Sequence, residues 1–129
     1  MPRVSAAFFA LGVVCLLMGM FWGMHMGATE DLTMMPAHAH LNLLGWVTMA
    51  LYGTFYALTH ASLSPRLAWI NFALAALGVA LMIPFLALYL PAHDAKYVPG
   101  IIAGEVATLL SLLVFAVSVY RELVRPRLA

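Results

Sequence analysis

Two histidines stand two residues apart in "TMMPAHAHLNLLGW", Thr33 to Trp46, where a polar loop gives way to a long apolar run. Neutral imidazole is a good ligand for iron, copper or zinc, so His38 and His40 are candidate ligands. Their spacing limits what they can do together. Successive residues of an α-helix are about 100° apart, so positions i and i+2 differ by roughly 200°. A two-histidine clamp on one ion uses i and i+3 or i+4 instead. Three arrangements remain: two sites flanking one helix, one functional histidine with a bystander, or a first turn frayed at Pro36 that frees His38. A lone histidine at a helix end is also at home among water and lipid headgroups. Asn42 weakens that reading, because polar groups inside a membrane helix are costly and usually face an interior partner.

A second set of donors surrounds the first. His25, His38 and His40 are interspersed with Met18, Met20, Met24, Met26, Met34 and Met35, and thioether with imidazole suits copper, especially cuprous copper. A copper site built from Met24, His25, Met26 and His38 is one expectation; methionine as a filler of irregular apolar gaps is the other. His93 stands beside Asp94, which would orient it as a ligand, or it is a solvated loop histidine. His60, near Ser62, reads as interfacial. Glu105 lies about two turns inside an apolar run. It is expected to face the bundle, either as a proton acceptor or ligand partner, or as a carboxylic acid bonded to Asn42 or Thr33. Asn71 reads as interhelical glue.

These residues need a scaffold, and composition supplies it. Of 129 residues, 65% are hydrophobic and 9% charged, against about a quarter charged in a soluble domain. The charges lie between or beyond four apolar stretches, about 5–24, 37–59, 67–90 and 99–120, with Glu105 the exception. Each stretch reaches the roughly 20 residues that cross hydrocarbon as a helix. The expected fold is therefore all-α, one four-helix transmembrane unit over residues 1–129. The first stretch resembles a signal peptide at its start, but "GMHMGATED" offers no small-x-small cleavage site, so a retained helix is expected. A net charge of +1 makes no case for nucleic acid, and Cys15 alone forms no intrachain disulfide.

Orientation follows from Lys and Arg in short loops. Arg3, Arg66, Arg121, Arg125 and Arg127 fall on one side, and Lys96 alone on the other. Both termini are expected to be cytoplasmic, with His25, His38, His40 and His93 at the outer end, in a bacterial inner membrane with the site toward the periplasm. Gly12, Gly19 and Gly23 form one stripe of the first helix that permits close backbone contact, and Gly45 and Gly53 read likewise in the second. Pro84 is expected to kink the third helix.

"HLNLLGWVTMALYGTFYAL", from His40 onward, resembles the second helix of the nitric oxide reductase branch of the haem-copper oxidase catalytic subunits. In that branch a histidine, an asparagine two residues on, tryptophan, glycine and paired aromatics recur, and the histidine ligates a low-spin haem. The resemblance implies His40 as an axial ligand of haem b, with Asn42 and Gly45 in the same site. "HAH" at 38–40 also resembles the His-x-His of that subunit's tenth helix, whose rings ligate haems on opposite sides. That subunit consists of three four-helix arcs, and this chain has one. A homotrimer would then place His38 of one copy and His40 of the next on one haem. The implied role is electron transfer with a quinol-level donor or a redox partner protein, or binding of oxygen or nitric oxide if one position stays open. His93, Lys96 or Tyr97, or water, would hold the propionates, since no arginine pair is present. The competing classes are a copper-binding or copper-delivery membrane protein and a structural oxidase subunit.

Overall fold

A computed structural model of the chain describes residues 1–126, so Arg127 and its part in the charge asymmetry lie outside the described residues. Among those residues the chain is all-helical, with α1 over Arg3–Thr29, α2 over Met35–Leu58, α3 over Pro65–Ala92 and α4 over Val98–Leu123. A short 3₁₀ turn, Ala95–Tyr97, leads into α4. All four are long and apolar enough to cross a membrane, as an integral membrane protein requires. They overrun the apolar stretches at most ends, because a helix continues past hydrocarbon as long as its backbone finds partners. One consequence is a correction: His25 lies on α1 rather than in the following loop, since α1 ends only where Glu30 adopts φ 57°.

The glycine stripe of α1 faces α2, where it receives side chains. A Cβ at Gly12 would lie 3.1 Å from the Trp46 ring, and one at Gly23 would lie 3.0 Å from His38 Cε1. Gly19 backs onto the Asn42 amide, and Gly45 of α2 backs onto Cys15. Helices α3 and α4 approach as closely through glycines that the sequence reading passed over. A Cβ at Gly104 would come within 2.5 Å of Met82 N and 2.7 Å of Met82 Cβ. α3 runs unbroken as a helix through Pro84. The proline costs one backbone hydrogen bond there without ending the helix.

α2 departs from regular geometry. Leu41–Thr48 forms a π-helix, with Thr48 Oγ1 donating to the Leu43 carbonyl five residues back at 2.9 Å. In an α-helix, residues four apart advance about 40° past a full turn. The wider π turn takes up that drift. Ala37, Leu41, Gly45 and Met49, each four apart, are all buried as one stripe. The two histidines precede this segment, so their divergence follows ordinary helical geometry.

The aromatic part of the core gathers toward the end of the bundle that holds the start of α1 and the end of α4. Phe8 packs against Phe72 at 5.1 Å and Tyr52 against Phe115 at 4.4 Å between ring centres. Fully buried Asn71 ties three helices: its amide donates to Tyr56 Oη at 3.1 Å and its carbonyl accepts from Ser111 Oγ at 2.6 Å. The interhelical role expected of it is the one it has. Asn71→Leu strands Ser111 and removes a donor from Tyr56, and should cost about 1–3 kcal/mol. Unfolding of the detergent-solubilised variant by heat or SDS measures this; an unchanged midpoint would dismiss the bridge as a stabiliser.

Candidate histidine site

The histidines sit on the first turns of α2, which Pro36 opens at a position where its missing N–H costs nothing. They face opposite ways. His38 is half-buried, its Cε1 edge toward Gly23 of α1. Asn42 Nδ2 lies 3.1 Å from His38 Nε2 and 3.4 Å from Nδ1. Nearly equal distances to both ring nitrogens place the amide over the ring face, not in line with either lone pair. The same amide donates to the His38 carbonyl at 3.2 Å. His38 is thus held between Gly23 and Asn42.

His40 points outward and is exposed on the single chain. Its Nδ1 lies 2.7 Å from the Pro36 carbonyl one turn back. A carbonyl only accepts, so in the neutral imidazole Nδ1 carries the hydrogen and Nε2 keeps its lone pair. For the neutral ring this contact fixes the tautomer and holds the imidazole on the exposed side of the helix. Gly45, the other position implicated beside Asn42, is buried against Cys15 and offers no surface to a ligand on the outer face.

Other candidates are spread around the same end. Met24 is 69% exposed and Met26 4% exposed on α1, so with His25 between them the three diverge around the helix and do not gather on one face. His25 keeps an exposed ring, and its carbonyl accepts from Thr29 Oγ1 at 2.9 Å. Among the described residues no three His, Cys, Asp or Glu side chains converge as a metal-ligand group. His93 ends α3 at φ 50° and packs edge-on against Tyr89, 5.4 Å between ring centres. Lys96 Nζ is 2.8 Å from Asp94 Oδ2 and lies over the Tyr97 ring. At the other end, His60 is exposed with Nδ1 near the Ala57 carbonyl.

Glu105 requires a correction. It does not face the bundle and bonds neither Asn42 nor Thr33; it is exposed on α4. The reason is helical phase. Gly104, Ala107 and Ser111 form the buried stripe of α4, pinned by the approach of Gly104 to Met82. The next residue after Gly104 therefore turns about 100° away.

The loops carry the clearest titration. Hydrogen bonds from the Lys96 side chain and backbone hold the Asp94 carboxyl below its ordinary value. A depressed carboxylate pKa stabilises the fold above the unfolded pKa, and that contribution fades as pH falls through the folded one. The α3–α4 loop should therefore loosen only on the acid side of the ordinary aspartate range. The Lys96 amide shift by NMR should titrate there, and Asp94→Asn should remove the step. No family model, curated protein or solved structure matches this chain.

Proposed function

We propose that this chain is a membrane haem b protein that transfers electrons, with His40 as an axial ligand. The observation that carries the reading is the exposed His40 ring, whose Nδ1 is held by the Pro36 carbonyl while Nε2 bonds none of the described residues. A ligating histidine commonly gives its other ring hydrogen to such a carbonyl, which orients the ring and raises its basicity. Exposed Leu43 and Val47, further along α2, offer apolar surface for a porphyrin. A bound haem supplies one-electron chemistry, and two histidines on its iron would leave no open position.

His38 of a neighbouring copy would supply the second histidine, in a homotrimer with one haem per chain. His38 must swing out from under Asn42 to serve, giving up a weak contact of about 0.5–1 kcal/mol. Exposed Glu105 favours the same assembly, since a carboxyl on the outside of a membrane helix needs protein or water beside it. The basic residues at the ends of the bundle orient both termini to the cytoplasm of a bacterial inner membrane, with the histidines toward the periplasm. His93 and Lys96 are the side chains available to propionates, Lys96 after leaving Asp94. The donor is a quinol or a redox partner protein.

An oxidised and reduced visible spectrum of the detergent-purified protein, with metal analysis and native mass spectrometry, tests this reading. A sharp Soret band in a trimer is expected. Copper without haem would replace it with the copper reading, a haem-loaded monomer would end the shared-ligand arrangement, and a dimer would remove the threefold part.

A further inference from the structure

The end of the bundle opposite the histidines holds a cavity of about 430 Å³ between the α2–α3 loop and the end of α4. Arg121, Arg125 and Ser64 border it on the polar side, and Phe55, Leu63 and Leu67 on the apolar side. Its charges are unevenly committed. Glu122 accepts a hydrogen bond from Ser62 and lies 3.6 Å from Arg125, in an exposed pair. Such a pair is worth little on its own. No carboxylate among the described residues pairs with Arg121. Among the described residues, two guanidinium groups and one carboxylate line the cavity, a net positive charge. Ser64 precedes α3 without capping it, so its hydroxyl is not spent on the helix.

We propose that this cavity binds the phosphate group of an anionic phospholipid. Guanidinium is the side chain whose planar fork matches phosphate oxygens. A free phosphate would satisfy the arginines equally. The apolar wall favours a lipid: Phe55, Leu63 and Leu67 line the same space, where the helices leave hydrocarbon, so a phosphate held here has its acyl chains beside apolar surface. A quinol headgroup is the less fitting occupant. Tyr56 at the cavity and His40 are 16 residues apart along one helix. At 1.5 Å per residue, and less through the π segment, that is on the order of 20 Å, which would isolate such a donor from a haem at His40. The lipid site stands whether or not that haem exists.

Native mass spectrometry of the detergent-purified chain tests the proposal, with phosphatidylglycerol, phosphatidylcholine or inorganic phosphate added separately. Phosphatidylglycerol should be retained in preference to phosphatidylcholine, and inorganic phosphate should not displace it. Arg121→Gln with Arg125→Gln should weaken retention by about tenfold or more, as the loss of charge-assisted bonds implies. Arg3→Gln, basic but not lining the cavity, should retain the lipid. If the double variant fails to fold, Arg121→Gln alone carries the test, because that side chain makes no ion pair with the described residues. Equal retention of the two lipids, no retention, or equal loss with Arg3→Gln would overturn the site. Displacement by inorganic phosphate would reassign it to the free anion.

Discussion

His40→Ala is expected to remove stoichiometric haem while leaving the fold intact. The ring is exposed, and its one polar contact is to the Pro36 carbonyl, which lies within hydrogen-bonding reach of the helix backbone as well. Little packing is therefore lost, so loss of colour can be separated from unfolding by comparing thermal midpoints. His38→Ala should behave differently. It opens space against Gly23 and frees the Asn42 amide, and in a shared-ligand trimer it leaves the iron with one histidine, which moves the spectrum toward high spin. A full, unshifted low-spin spectrum from the His40 variant would rule that residue out as a ligand. Unshifted low-spin haem in the His38 variant would leave His38 as packing.

A large structural effect is expected from a single methyl group. In Gly104→Ala the new carbon meets the Met82 backbone nitrogen at 2.5 Å and its Cα at 2.8 Å. Backbone cannot rotate aside as a flexible side chain can, so α3 and α4 must separate. The cost should be about 1–3 kcal/mol, as for overpacked cores. Gly27→Ala is the control, since nothing lies within 4 Å of its new carbon. That change should be neutral, or stabilise by up to about 1 kcal/mol through a less flexible unfolded chain. Comparison of the two by SDS or thermal unfolding is decisive. Equal midpoints would mean that the helices do not meet at Gly104. Since the same contact sets the phase of α4, relaxation at Gly104 should also change the accessibility of Glu105 to carboxyl-modifying reagents.

The four membrane-length helices were legible in residue order because each apolar stretch exceeds the length of a hydrocarbon crossing. The divergence of His38 and His40 was equally legible, since i, i+2 spacing on a helix leaves no alternative once the segment is helical. The α1 glycine stripe followed from spacings of seven and four, whereas its facing α2 side chains came from the tertiary structure. Gly100 and Gly104, four apart on α4, carried the same kind of signal and were passed over, and Gly78 stands alone on α3.

Tertiary structure decided the rest. Periodicity gives the relative angles of residues on one helix but not that helix's rotation against its neighbours. Glu105 therefore emerged outside the bundle once Gly104 was fixed against Met82. For the same reason Met24 and Met26, joined in one copper site by the sequence reading, diverged into an exposed and a buried side chain. The π segment Leu41–Thr48 had no signature in residue order, because it arises from keeping Leu41, Gly45 and Met49 on one stripe. The free nitrogen of His40 depended on a contact with a carbonyl that sequence cannot orient. Sequence alone determined that polar, ligand-capable side chains stand at the ends and on both sides of apolar helices. Which of them meet was settled by the close approaches of backbone at a few glycines, where steric fit fixes helix rotation to within a fraction of a turn.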